Sequence, residues 1–175
     1  MEFRKIKGNN NCEDVIKLYI DSFPEAERVP FDDLFTGVFA PFEFVCLYDG
    51  DKIVGMLHYN NADNFVHCNY LAVSKEYQDQ GNGSRILSWV KENYPGKSLV
   101  VDIEELDDTA DNRENRIRRK SFYERNGFVQ GDYVFDWEGV FMTYMHCGDV
   151  DAEEFMSYIQ IVFPTIHNVR KRKKD

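Results

Sequence analysis

The sequence contains few cysteines, and none of them forms a recognisable pair. The four cysteines stand at positions 12, 46, 68 and 147, without a CxxC or another metal-ligand spacing. Each lies in or near a segment typical of regular structure, so we interpret them as reduced and mostly buried thiols. A metal site and a disulfide framework are therefore not expected.

Long apolar runs are also absent. No stretch approaches the roughly 20 apolar residues that a membrane helix requires, and the segment that begins with Met1 lacks the apolar core of a signal peptide. Together with the reduced thiols, this pattern predicts a soluble cytoplasmic protein that does not bind a membrane.

The two common phosphate-binding loops are missing as well. A Rossmann fingerprint requires a third glycine three places after the second, and Ile86 occupies that position after Gly81 and Gly83. The full P-loop pattern, with its first glycine five places before Gly-Lys-Ser/Thr, does not occur either. Neither of these two kinds of nucleotide site is expected.

Acidic residues outnumber basic ones outside one segment. The net charge is -10, yet residues 169–175 carry five bases against one acid, so the rest of the chain carries -14. A body this acidic argues against nucleic-acid binding. The same charge is compatible with a cationic substrate, and it also serves solubility.

The composition is sufficient for one globular domain. Of 175 residues, 43% are apolar and 15% are aromatic, which allows a sizeable core. We predict a single domain over residues 1–168, followed by a basic tail over 169–175 that has the composition of a disordered end.

Hydrophobic periodicity predicts a mixed α/β (α+β) fold. Residues 2–6 are typical of a strand, residues 13–22 of a helix, and residues 31–39 of a second helical stripe. Three β-rich segments with short turns predict an antiparallel meander; they cover residues 42–48, 52–59 and 64–73.

The second half of the chain alternates strands and helices. Helices are predicted at 83–94, 114–126 and 152–163, and strands at 98–103, 128–133 and 140–147. Strand, helix and strand in succession require a parallel βαβ crossover, so the central sheet should be mixed and flanked by helices.

A glycine turn lies between the apolar run 70–73 and the amphipathic run 85–94. Its sequence is Gln78-Asp79-Gln80-Gly81-Asn82-Gly83-Ser84. At the start of a helix the backbone N–H groups point outward and can hold phosphate oxygens. Glycines suit this role, because a side chain there would crowd a diphosphate that lies against the backbone.

This turn resembles the acyl-CoA-binding motif of the GCN5-related N-acetyltransferase (GNAT) family, Arg/Gln-x-x-Gly-x-Gly/Ala. Downstream, residues 122–128 are similar to the second motif of the family, Phe-Tyr-x-x-x-Gly-Phe. The resemblance covers residues 42–128. One departure is Arg119, which stands four residues before Tyr123, where many members of the family have an alanine.

The resemblance implies a GNAT-like domain that transfers an acetyl group from acetyl-CoA directly to an amine. The cofactor would be held by main-chain groups of the preceding strand and by the turn, with an asparagine near the next helix start as a further contact. The residues assigned to it are Leu71, Ala72, Val73, Gln78, Gln80, Gly81, Asn82, Gly83, Ser84 and Asn115, with Asn112 as a rival for Asn115.

The resemblance also implies an acid and a base. Tyr123 is the predicted acid for the departing thiolate, because phenol and thiol have pKa values of roughly 10 and 8.5. His67 is a candidate base for the amine, acting directly or through water. Glu104 and Glu105 are rival bases, with Glu104 preferred of the two, although their acidic segment is also typical of a solvated loop. The bases of segment 113–125 are expected to offset the negative charge of coenzyme A, although they are also typical of a solvated helix face.

Two other functions remain open. A non-catalytic acyl-CoA-binding or regulatory module would keep the cofactor groove without turnover, and the retained Tyr123 argues modestly against it. An interaction domain that uses the basic tail is disfavoured by the acidic body. The acceptor is expected to be the amine of a small molecule or a peptide, and a homodimer is left open.

Overall fold

The computed structural model describes residues 1–7 and 13–172, which divide into two compact units at Gly96. The first unit runs from Met1 to Gly96, and the second begins at Lys97. No helix in the described ranges combines the length and the hydropathy needed to cross a membrane.

The first unit is a four-stranded antiparallel sheet with helices on both faces. Its strands are β1 (Glu2–Ile6), β2 (Phe42–Asp49), β3 (Lys52–Asn61) and β4 (Phe65–Val73), paired in that order. Its helices are α1 (Glu13–Ser22) and α2 (Asn82–Asn93). The predicted antiparallel meander is thereby confirmed.

Alternation along the strands gives the sheet of this unit two apolar faces. One face forms a core with α1, which includes Val15, Leu18, Tyr19, Phe44, Cys46, Met56, Tyr70 and Ala72. The other face receives α2, which packs closely on β3 at Gly55. A Cβ there would lie 2.8 Å from both the Ala72 carbonyl oxygen and Ile86 Cδ1, so only glycine permits this approach.

The predicted helical stripe over 31–39 is wrong in its form. The segment folds as two short 3₁₀ helices, Phe31–Phe35 and Gly37–Phe39, after a third at Glu25–Glu27. Thr36 is extended, with φ of -133°, and Gly37 adopts a positive φ of 56°. These two residues interrupt the helical path, although Leu34 and Phe39 still reach the core.

The second unit is also a four-stranded antiparallel sheet. Its strands are β5 (Ser98–Glu104), β6 (Val129–Trp137), β7 (Val140–Cys147) and β8 (His167–Lys171), in the spatial order β5-β7-β6-β8. Its helices are α3 (Arg113–Arg125) and α4 (Ala152–Val162). A tight turn at Glu138 and Gly139, both with positive φ, joins β6 to β7.

Strand β8 was not predicted. Residues 169–171, assigned from the sequence to a disordered tail, pair with β6 instead, and residues 173–175 lie outside the described range. Every residue of β8 is exposed, so no hydrophobic alternation marks it in the sequence. Its order comes from backbone pairing and from Arg172, which forms a two-bonded ion pair with Glu105 at 2.8 and 2.6 Å.

Candidate functional site

The turn between β4 and α2 is held by side chains of the turn itself. Gln78 Nε2 donates to the Val73 carbonyl at 3.0 Å, and Gln80 Nε2 donates to the Glu76 carbonyl at 2.7 Å. The buried Asn82 donates from Nδ2 to the Tyr77 carbonyl at 2.9 Å. Three of the predicted cofactor residues therefore use their side chains to brace the turn.

The start of α2 has no side-chain cap from its N-cap residue. That residue is Gly81, with φ of 79°, which has no side chain to accept a hydrogen bond from the first turn. The first helical hydrogen bond joins Arg85 N to the Gly81 carbonyl at 3.0 Å, so the N–H groups of residues 82–84 precede it.

The other helices have acidic residues in their first turns. The N-cap residue of α3, Asn112, also forms no side-chain cap, but Glu114 follows it in the first turn. Asp151 caps α4 by accepting from the N–H groups of Glu153 and Glu154, at 2.9 and 3.0 Å. Among the helices of the described residues, α2 alone has no acidic residue in its first turn. Because the positive end of a helix dipole attracts anions, this uncapped start is the one suited to an external anion.

Strand β4 leads into this turn with its main chain in register with β3. Leu71 lies opposite Leu57, Ala72 opposite Met56 and Val73 opposite Gly55. A β-bulge interrupts the register beside His58 and leaves Asn69 without an opposite residue. Such a bulge bends and twists the strand, so it sets the direction in which residues 71–73 run.

Two histidines are fully buried in the first unit, on adjacent strands. His67, the predicted base, lies on β4 opposite Asn60. His58 on β3 was not assigned to the site from the sequence. Its Nε2 lies 3.2 Å from the Leu34 carbonyl, and its Nδ1 lies 3.2 Å from Asn69 Nδ2.

The contacts of His58 define its protonation. A carbonyl oxygen only accepts, so Nε2 donates to Leu34, and Nδ1 accepts from the Asn69 amide. Burial lowers the pKa of His58 to about 3, and the nearby His67 acts in the same direction, against the Leu34 hydrogen bond. His58 is therefore a neutral ring that orients Asn69 at the bulge. Only the strand pairing, which brings residues 34, 58 and 69 together, reveals this role.

In the second unit, the Phe-Tyr-x-x-x-Gly-Phe motif forms the end of α3. Phe128 N donates to the Tyr123 carbonyl at 3.1 Å, and Gly127 N donates to the Glu124 carbonyl at 3.0 Å. With Gly127 at φ of 84°, this is a Schellman helix end, and the rings of Tyr123 and Phe128 pack 5.3 Å apart. The spacing of the motif thus has a structural cause besides any chemistry of the buried Tyr123.

Glu104, the other predicted base, lies at the end of β5 in a polar network. Its side chain is 5% exposed and forms ion pairs with Arg119 and, at 3.2 Å, with Arg116. Asn112 Nδ2 donates to Glu104 Oε1 at 2.7 Å. Of the two candidate asparagines, Asn112 is thus engaged by Glu104, whereas Asn115 is exposed.

The predicted excess of positive charge on α3 is largely compensated. Arg113 pairs with Asp108 at 2.8 Å, and Lys120 pairs with Glu124. Arg116 and Arg119 share Glu104. At least four of the six bases predicted to offset coenzyme A therefore already contact acids among the described residues.

Comparison with known proteins places the chain in a family. The model of the GNAT acetyltransferase domain matches residues 40–130, which is more than half of the chain. The chain therefore belongs to the GNAT acetyltransferase family. A GNAT-family protein from Bacteroides thetaiotaomicron superposes with a TM-score of 0.69 and 25% identity, over 93% of this chain and 98% of that one.

Two other proteins also match parts of the chain. The aminoglycoside 6'-N-acetyltransferase from Enterococcus faecium matches with a TM-score of 0.65 and 14% identity, over 86% of this chain and all of its own. YjbC of Bacillus subtilis, provisionally named an acetyltransferase, is 30% identical over 79 residues; the match spans 45% of this chain and only 38% of YjbC. The predicted α/β fold of the GNAT type, with its mixed sheet, is confirmed by these matches.

Proposed function

We propose that this protein is an N-acetyltransferase that uses acetyl-CoA and passes the acetyl group directly to an amine. The observation that carries the proposal is the start of α2, which has a glycine N-cap, no side-chain cap and no acid in its first turn. Family membership supports it, and a GNAT protein from Elizabethkingia anophelis has been solved with acetyl-CoA bound.

The turn would hold the cofactor through its main chain. The N–H groups of Asn82, Gly83 and Ser84 would donate to the diphosphate, and the helix dipole would add to the attraction. Gln78 and Gln80 would act indirectly, by bracing the turn through the hydrogen bonds described above. Main-chain groups of residues 71–73 would bind the pantetheine arm, with an N–H donor for the thioester oxygen.

Two tasks remain for side chains. Tyr123 would protonate the departing thiolate, because the reference pKa values of phenol and thiol differ by only about 1.5. The acceptor amine must lose a proton, which at pH 7 costs roughly 4.6 kcal/mol for a reference pKa of 10.4. His67 is the candidate base, and its full burial requires that it act through a water relay.

The acceptor would be the amine of a small molecule or a peptide. The net charge of the chain, -10, favours a cationic acceptor over an anionic one. The aminoglycoside acetyltransferases among the structural neighbours share the fold at 14 to 15% identity, which does not extend their acceptor to this chain.

The first test measures acetyl-CoA binding by calorimetry and thiol release with a panel of amines. We expect binding and release in the parent protein, and a fall in kcat of about 100-fold in Tyr123→Phe with unchanged binding. Tyr158→Phe on α4 serves as a control and should leave kcat unchanged.

Each outcome separates the candidate functions. Binding without thiol release across the whole panel would favour the non-catalytic acyl-CoA module. An unchanged kcat in Tyr123→Phe over the full pH profile would remove the acid role, and the absence of any acetyl-CoA binding would remove the proposal itself.

A further inference from the structure

Helix α3 lacks the apolar stripe that holds the other helices in place. Helix α1 buries Val15, Leu18 and Tyr19, α2 buries three apolar residues and α4 buries four. Helix α3 buries only Tyr123, near its end, and Ile117 in its middle is exposed. Since tertiary packing of an apolar face normally stabilises a short helix, the first turns of α3 need another attachment.

Glu104 provides that attachment from the end of β5. Both carboxylate oxygens are engaged: Oε2 by Arg119, and Oε1 by Asn112 and Arg116. All three partners belong to α3 or to its N-cap residue, and they span the first two turns. A charge-assisted network of this kind gives both energy and orientation.

Arg116 extends the network back to the strand. Its Nε donates to Asn112 Oδ1 at 2.7 Å, and its Nη1 donates to the Glu105 carbonyl at 2.8 Å. The side chain of Arg116 is 12% exposed, so these hydrogen bonds form largely away from solvent. The end of β5 and the start of α3 are thereby joined at several points by a single connected set of polar groups.

We propose that Glu104 is a positioning residue, which sets the place of α3 against β5 and thereby the place of Tyr123. The inference rests on the proposed function, in which Tyr123 is the acid. It assigns Glu104 a different role from the base predicted from the sequence, because its oxygens are engaged by α3. It also explains Arg119, which departs from the alanine of many relatives: the guanidinium is the partner of Glu104.

The test compares Glu104→Gln with Arg119→Gln and with the double variant. Hydrogen exchange of the amides of residues 113–125 is the first readout, since it does not depend on acetyl transfer. We expect exchange in this helix to rise at least threefold in Glu104→Gln, and in the same direction but less in Arg119→Gln. Asp108→Asn is the matched control: it breaks another ion pair to α3, but the Asp108 side chain is 89% exposed, so exchange should not change.

The second readout is the pH dependence of kcat. A displaced Tyr123 should lower kcat by roughly tenfold in Glu104→Gln while the acidic limb of the profile stays where it is. The double variant should resemble the more affected single variant, because both substitutions break one network.

Two results would overturn the proposal. Loss of the acidic limb in Glu104→Gln with unchanged exchange in α3 would make Glu104 the base. Unchanged exchange together with full activity would remove any role in positioning. If Glu104→Gln does not fold, Arg119→Gln, whose side chain is 40% exposed, gives the same two readouts. If the proposed function is wrong, the parent protein will show no acetyl transfer, and the hydrogen-exchange result will not be affected.

Discussion

At the scale of single residues, burial decides what a titratable side chain can do. His58 and His67 lie on adjacent strands and are both fully buried, and the contacts of His58 define the protonation state of its ring. Its ring donates to Leu34 and accepts from Asn69, which leaves no place for a second proton. Its function in this unit is therefore to hold the 3₁₀ segment and the bulge of β4 together.

The low pKa of His58 makes stability depend on pH. The folded protein binds a proton at His58 only near pH 3, whereas the unfolded chain does so near 6.5. The unfolded state therefore gains protons first as pH falls, so the free energy of unfolding decreases between about pH 6.5 and 3. From pH 7.5 to 5.5 we expect His58 to account for a loss of about 1.4 kcal/mol.

Urea unfolding at the two pH values measures this loss. In His58→Gln the difference in the free energy of unfolding between the two pH values should be smaller by about 1.4 kcal/mol. Any destabilisation that is equal at both pH values cancels in this difference. His167→Gln removes a histidine whose side chain is 57% exposed and should preserve the dependence. An equal loss in His58→Gln and the parent protein would mean that the buried ring takes up a proton without unfolding.

At the scale of elements, the helices differ in what holds them and in what their ends can bind. Helix α4 is capped by Asp151 and has a buried apolar face, so its start is already satisfied. Helix α3 relies on Glu104 and ends in a Schellman motif. The buried apolar face of helix α2 stabilises the helix without an acidic residue in its first turn. Its uncapped start can therefore bind an external anion.

The conformation of Gly81 gives a test at this scale. At φ of 79° an alanine is strained, and we expect Gly81→Ala to lower the free energy of unfolding by about 1 kcal/mol. Gly50→Ala is the matched control, with φ of 60° and, like Gly81, nothing within 4 Å of the added Cβ. It should cost a similar amount.

Only Gly81→Ala should also weaken acetyl-CoA binding, because it distorts the start of α2. Calorimetry of both variants measures this, with an expected loss of roughly tenfold in affinity for Gly81→Ala and none for Gly50→Ala. Equal affinity for acetyl-CoA in the two variants would show that the turn at Gly81 does not bind the cofactor.

At the scale of the whole molecule, charge is the property that acts over distance. The net charge of -10 coexists with a basic end whose Arg170 and Arg172 belong to the ordered part of the second unit. On α3 most bases are neutralised by acids of the same helix or its neighbours. The field around the protein is therefore negative and attracts cations.

This field predicts how salt affects the acceptor. At saturating acetyl-CoA, kcat/KM for an amine with several positive charges should fall about threefold or more between roughly 50 and 500 mM salt. A zwitterionic amino acid acceptor, with no net charge, should show little change. Steady-state kinetics with both acceptors measures this, and the same salt dependence for both would show that long-range charge does not select the acceptor.

Local patterns in the sequence were sufficient for most of the helices and strands and for the two family motifs. Strand β7 was predicted with its observed bounds, and α2 and α3 were predicted to within one residue at each end. Hydrophobic periodicity and glycine turns act between residues that are close in the chain, so they can be seen without a structure. The turn at Gly81 and the helix end at Gly127 belong to this class.

The tertiary structure decided the contacts between residues that are far apart in the sequence. The contacts of His58 depend on the register of β3 with β4, and the network of Glu104 depends on how α3 lies against β5. Strand β8 is ordered by pairing with β6, although its composition indicates a tail. The sequence determined by itself most of the helices and strands and the glycine turn before α2, because these are local. The roles of the buried polar residues required the fold, because each is defined by partners that only tertiary packing brings within hydrogen-bonding distance.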